Sequence, residues 1–151
     1  MEDCLFCKIV KGEITCAKIW EDENFLAILD INPNTKGMTL IFPKKHFGSD
    51  SFLMPDIDYQ NLMMAVKKVS EIIKKGLSVN RIAMVMEGMG VNHVHIKLYP
   101  LYGVEKEFEE IWAKEEVFFD KYQGYISTQL GPQVSIEDLK KLVEEIKNRV
   151  N

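Results

Sequence analysis

Two of the chain's three histidines lie in the run His93-Val94-His95-Ile96-Lys97-Leu98-Tyr99. Polar residues there alternate with β-branched Val94 and Ile96, the period-two pattern of a half-buried strand. On such a strand His93, His95 and Lys97 share one face, about 7 Å apart at each step, while Val94, Ile96 and Leu98 enter the core. Two imidazoles and an ammonium in a row make a cationic face that carries a nucleophile, suited to an anionic substrate such as a phosphate ester. The alternatives are a pair of surface histidines or two metal ligands. The third histidine, His46, closes Ile41-Phe42-Pro43-Lys44-Lys45-His46, and Cys4-x-x-Cys7 stands near the N-terminus. Two thiolates at this spacing are half of a tetrahedral zinc site, a redox pair, or inert. Cys16 reads as a packing residue.

Short strands must position these groups. Lys18-Ile19-Trp20-Glu21 reads as the first strand, followed by the polar turn Glu21-Asp22-Glu23-Asn24 and a second strand from Phe25 to Leu29 that ends at Asp30. The turn chemistry of Asn32-Pro33-Asn34-Thr35-Lys36-Gly37 precedes a third strand, Met38 to Pro43. Leu62, Val66, Val69 and Ile73 fall at helical spacing within a helix from Asp56 to Leu77, with Gly76 suited to the C′ position. Ile82 to Glu87 and His93 to Pro100 are the fourth and fifth strands, and Gly88-Met89-Gly90 between them reads as a tight hairpin connection. The fold class is therefore α+β: a five-stranded antiparallel sheet with one long helix packed on it.

Beyond residue 103 the pattern changes. Glu105 to Asp120 reads as a helix with the apolar stripe Phe108, Ile111, Trp112 and Phe119, and Gln123 to Gln133 as a loop. Ser135-Ile136-Glu137-Asp138 carries the Ser-x-x-acid start of a last helix bearing Leu139, Leu142, Val143 and Ile146. Residues 1–103 are expected to form the main domain, and 104–151 a helical extension docked on it.

Composition narrows the function classes. A chain of 151 residues with a net charge of −4 gives no support for a nucleic-acid groove or a polybasic membrane patch. No apolar run reaches the ~20 residues of a membrane span. Met1-Glu2-Asp3-Cys4 is not the start of a signal peptide, and three cysteines are no secreted disulfide framework. A cytoplasmic location is expected.

The run His-Val-His-Ile-Lys-Leu-Tyr-Pro resembles the signature of the histidine-triad (HIT) superfamily, in which three histidines alternate with apolar residues. The resemblance extends over about the first hundred residues, through Cys4-Leu5-Phe6-Cys7-Lys8-Ile9, Trp20-Glu21-Asp22-Glu23, Phe25 to Ile31, Thr35-Lys36-Gly37-Met38 and Pro43-Lys44-Lys45-His46. It implies that His95, the middle histidine, is a nucleophile that attacks an α-phosphorus and forms a nucleotidyl-histidine intermediate. It also implies that Asp30 hydrogen-bonds ribose hydroxyls and that Phe6, Ile9, Leu29 and Ile31 line a slot for a purine base. Plain core packing accounts equally well for those four apolar residues, and turn capping for Asp30. In the zinc-bearing branch of the superfamily, Cys4, Cys7, His46 and His93 would complete a structural zinc site. The resemblance further implies a homodimer paired through the long helix and the fourth strand, with a nucleotide or nucleotide conjugate as partner.

The chain departs from the signature at Lys97, where the family carries the histidine that supports the phosphate and leaving group. Relatives with glutamine there, such as galactose-1-phosphate uridylyltransferase, pass the nucleotide to a phosphate acceptor. A lysine supplies charge-assisted hydrogen bonds to phosphate oxygens but is a poorer proton shuttle. Many relatives also carry Gly-Gln-Ser upstream and an asparagine on the preceding strand; here Gly90 and Met86 offer no such donors. Asn92 precedes His93 but is expected to point to the opposite face. Three functions follow: a nucleotide hydrolase or nucleotidyl transferase using His95 and Lys97, a nucleotide-binding module without turnover, or a zinc-stabilised interaction protein.

Overall fold

In a computed structural model, residues 3–128, 131–140, 142 and 149 are described. The element order is α1 (Leu5–Val10), β1 (Lys18–Glu21), β2 (Phe25–Leu29), β3 (Thr39–Pro43), a 3₁₀ turn (Ser51–Leu53), α2 (Asp56–Leu77), β4 (Arg81–Val85) and β5 (Ile96–Leu101). The strands form one sheet in the order β1-β2-β3-β5-β4, with every neighbouring pair antiparallel. The α+β architecture and the bounds of β1, β2 and α2 agree with the sequence patterns. No helix among the described residues is long and apolar enough to cross a membrane.

Period-two alternation divides the sheet into two chemically different faces. Phe25, Ala27, Ile41, Ile96 and Leu98 pack with Leu62, Ala65, Val66, Val69 and Ile73 of α2 into the larger core. Leu26, Ile28 and Phe42 point the other way and pack with Phe6 of α1. The register carries a row along this second face: Ile28 pairs with Leu40, Leu40 with Lys97, and Lys97 with Val85. Lys97 thus sits on an interior strand, next to the edge strand β4 and three strands from the other edge at β1.

Three local expectations are corrected. Gly76 is not the C′ residue: α2 ends at Leu77 as expected, and it is Ser78 that takes the left-handed conformation, at φ 53°. Leu77, the last helical residue, packs against the larger core. The β4–β5 connection is no tight hairpin, since β4 ends at Val85 and β5 begins at Ile96. The Val94 N–H bonds the Phe47 carbonyl, 3.2 Å away, and Asn92 Oδ1 accepts from the Ser49 N–H at 3.0 Å. Gly88 is required there: at φ +72° an added Cβ would lie 2.5 Å from the Ser49 carbonyl oxygen. His93 to His95 therefore belong to a loop tied to residues 47–49, and only Lys97 lies within the strand.

The chain divides into two units, Met1–Glu109 and Glu110–Asn151. Contrary to the apolar stripe, residues 105–120 contain no helix. Glu105 and Glu109 repel at i,i+4, and Ile111, Trp112, Phe118 and Phe119 are weak helix formers. In the second unit Phe119 and Tyr125 meet edge to face, 5.7 Å between centroids. The start of the last helix is capped as its sequence implies, with Ser135 Oγ accepting from the Asp138 N–H at 3.1 Å and helical backbone at 136–140. Val143 and Ile146 lie outside the described residues.

Candidate functional site

Both signature histidines are buried beneath α1 instead of forming an exposed cationic face. His93 is fully inaccessible and His95 is 5% exposed. Phe6 stacks on Phe42 with 4.3 Å between centroids and presents its edge to His93 at 5.7 Å and His95 at 5.2 Å. Burial lowers the pKa of each imidazole from its ordinary value; the bonds to the Pro43 and His93 carbonyls oppose that shift secondarily, while His46 and His95 add to it at His93 and Lys97 adds to it at His95. Both rings are held toward the neutral form.

Each ring has one nitrogen committed to a main-chain carbonyl. His95 Nδ1–H donates to the His93 carbonyl oxygen at 2.7 Å. Its Nε2 therefore carries the lone pair, the tautomer a nucleophile needs. His93 is bonded in the opposite sense: its Nε2–H donates to the Pro43 carbonyl at 2.8 Å, leaving the Nδ1 lone pair directed elsewhere. Two histidines two residues apart thus present different nitrogens to different neighbours.

The neighbours of His93 Nδ1 are sulfur atoms. Cys4 Sγ lies 3.3 Å away and Cys7 Sγ 3.7 Å, and His46 Nδ1 is 3.4 Å from Cys7 Sγ. The four ligand atoms all fall within 4.8 Å of one another. A tetrahedral zinc with ordinary Zn–S and Zn–N bonds requires S···N edges of about 3.6 Å. Burial, followed by the adjacent Cys4 thiol, pushes the Cys7 thiol up, so a pair of thiolates here calls for a cation between them. Donor chemistry and spacing fit a metal ion held by Cys4, Cys7, His46 and His93.

On the other side of His95 lies an ion pair that sequence reasoning missed. Lys97 Nζ donates to Glu87 Oε2 at 2.8 Å, with the two side chains only 25% and 9% exposed. Burial opposes the ammonium most strongly of any single effect, but the Glu87 hydrogen bond and the surrounding negative charge together hold the Lys97 pKa above its ordinary value. Tyr99 follows Lys97 on the same face, and burial pushes its phenol up. The signal for Glu87 was present: it continues the Ala83–Val85 alternation onto the Lys97 face. Recognising it required the β4–β5 register, in which Val85 pairs with Lys97.

The residues expected around a base are dispersed in environment. Phe6 is core, and Ile9 is half-buried in the same cluster. Leu29 and Ile31 face solvent, 37% and 89% exposed. Asp30 Oδ1 accepts from the Asn32 N–H at 2.8 Å, which makes it a turn-capping residue. Its charge nevertheless reaches the site, acting on the protonation of His95, Lys97 and Tyr99.

A five-stranded antiparallel sheet with a helix on one face, and a carbonyl-anchored histidine beside a Cys₂His₂ cluster on the other, places the chain among histidine-triad folds. The HIT domain model matches residues 11–103, and the chain belongs to the HIT family. It is 39% identical over 122 residues to an uncharacterised HIT-like protein of Methanocaldococcus jannaschii, covering 78% of this chain and 94% of that one. It is 32% identical over 148 residues to an adenosine 5'-monophosphoramidase of Schizosaccharomyces pombe, covering 97% and 98%. The crystal structure of a HIT family member from Bacillus subtilis superposes with a TM-score of 0.66 at 30% identity, covering 97% of this chain and 96% of the other.

Proposed function

We propose that the protein is a nucleotidyl-transfer enzyme that cleaves the α-phosphate bond of a purine nucleoside phosphoester or phosphoramidate through His95. The observation that carries this reading is the His95 Nδ1–H bond to the His93 carbonyl, which leaves Nε2 free to attack. In the first step the Nε2–phosphorus bond forms and the bond from phosphorus to the leaving group breaks. Water or a phosphate acceptor then takes the nucleotidyl group and restores the imidazole. Asp30 binds the ribose hydroxyls, Phe6, Ile9, Leu29 and Ile31 border the base, and Lys97 faces the phosphate. The phosphoramidase activity in the name of the fission-yeast relative belongs to the same reaction class.

Zinc is the metal that best suits two thiols and two imidazoles. Held by Cys4, Cys7, His46 and His93, it would be a closed structural ion that ties the N-terminal segment and α1 to the loop before β5. The chain would act as a homodimer joined along α2 and the edge strand β4, where Met64, Ile72 and Met84 are exposed.

A second reading, nucleotide binding without turnover, is favoured by one observation: Glu87 occupies the Lys97 ammonium. Mononucleotide release from a panel of adenosine and guanosine conjugates, with and without inorganic phosphate, separates the two. Release that His95→Ala lowers by at least about 10³-fold supports the enzyme. Binding without release supports the module.

A further inference from the structure

The reaction at His95 leaves one problem open, which is where the leaving group finds a proton. Cleavage of a P–N bond expels an amine, and its nitrogen must be protonated as the bond breaks. Cleavage of a P–O–P or P–O–S bond, or of a mixed anhydride with a carboxylate, expels a stable oxyanion that needs none. The proton inventory around His95 therefore decides which bonds it can break.

That inventory is poor. The Lys97 ammonium is bonded to Glu87 at 2.8 Å. Donating its proton would leave a carboxylate that is 9% exposed without the positive charge beside it, a costly state. Burial also makes the Tyr99 phenol a weaker acid than usual. Asp30 acts as an acceptor in its turn, and Met86 packs against the larger core. Lys97 is thus a fixed positive charge, well suited to an oxyanion and poorly suited to proton transfer.

We infer that Glu87, by holding Lys97 as a fixed ammonium, restricts the site to leaving groups that depart as oxyanions, so that nucleoside phosphoanhydrides are cleaved in preference to phosphoramidates. Glu87 is a positioning residue here, acting through Lys97. The inference rests on His95 being the nucleophile.

Adenosine 5'-monophosphate aryl esters with phenols of graded acidity test it, alongside adenosine 5'-phosphoramidate and diadenosine tetraphosphate. In the wild-type protein kcat/KM should fall steeply as the phenol becomes more basic. The anhydride should exceed the phosphoramidate by at least about 10²-fold, the usual contribution of a general acid. Glu87→Gln, which frees the ammonium, and Lys97→His, which supplies an acid, should both flatten the slope and raise phosphoramidate relative to anhydride about tenfold. A shallow wild-type slope, or a phosphoramidate cleaved as fast as the anhydride, overturns the inference even if either variant fails to fold. A steep slope that neither folded variant changes overturns the role of Glu87. Failure to release AMP from any of these compounds, or release that survives His95→Ala, defeats the nucleophile reading instead, and the inference with it.

Discussion

His95 Nδ1 lies 2.7 Å from the carbonyl oxygen of His93, so the residue that points its own Nδ1 at two cysteines also fixes the tautomer of its neighbour. One short segment thereby links the Cys₂His₂ cluster, which could hold a metal ion, to the proposed nucleophile. Anything that loosens His93 should be felt at His95.

Metal removal is the first consequence. Bound at about 1,000 times its dissociation constant, zinc would stabilise the fold by about 4 kcal/mol. For a domain of this size that is a melting shift of roughly 8–16 °C. Thermal melts with and without a strong chelator, together with elemental analysis, should show one zinc per chain and a shift of that size. Cys7→Ser should show the lower melting temperature without chelator. An unchanged melt and no bound metal would remove the cluster from the account.

The Phe6–Phe42 stack should be chiefly structural. Truncating a buried aromatic ring typically costs about 3–5 kcal/mol, so Phe6→Ala should melt on the order of 10 °C lower. Ile31→Ala, at an 89% exposed position, should alter stability by no more than about 0.5 kcal/mol. If Ile31 borders the base, its substitution raises KM for adenosine conjugates with the melt unchanged; an unchanged KM excludes it from the pocket.

Asp30 can be tested in the same spirit. Asn at this position can still accept the Asn32 N–H, so Asp30→Asn should preserve the turn and the melting temperature. If the carboxylate binds ribose, KM rises at least severalfold for ribonucleotides and much less for their 2'-deoxy counterparts. An equal effect on both would leave Asp30 with its turn-capping role alone.

Gly88 couples the loop to the rest of the domain. Gly88→Ala must place a side chain at φ +72° and 2.5 Å from the Ser49 carbonyl, a strain of about 1–3 kcal/mol. Melting and turnover should both fall, because the displaced segment leads to His93 and His95. Gly90→Ala, where an added Cβ meets nothing within 4 Å, is the control.

Local pattern carried much of this architecture. The spacing of Leu62, Val66, Val69 and Ile73 marked α2, and the short apolar runs in Lys18–Glu21 and Phe25–Leu29, set off by a polar turn, gave β1 and β2. Strict alternation misplaced the start of β5, because His93 to His95 keep period two while their hydrogen bonds go to Phe47 and Pro43, distant in sequence. Chemistry that depends on such tertiary pairing was out of reach: burial turned an expected cationic face into neutral imidazoles, and Glu87 met Lys97 only through the strand register. The stripe over 105–120 misled for a different reason, since hydrophobic spacing says nothing of weak helix propensity and like-charge repulsion. The Cys₂His₂ grouping, by contrast, came through the family resemblance, and the four side chains do converge.

The central claim is that His95 bonds to phosphorus, and covalent labelling tests it most directly. The protein would be mixed with an α-³²P-labelled dinucleoside polyphosphate, stopped in alkali within a turnover, and the digested chain sequenced. The account predicts label on His95 that is stable to alkali and lost in acid, and none on His95→Ala. Turnover of the same substrate with no label at any time point, or label that persists in His95→Ala, would contradict it.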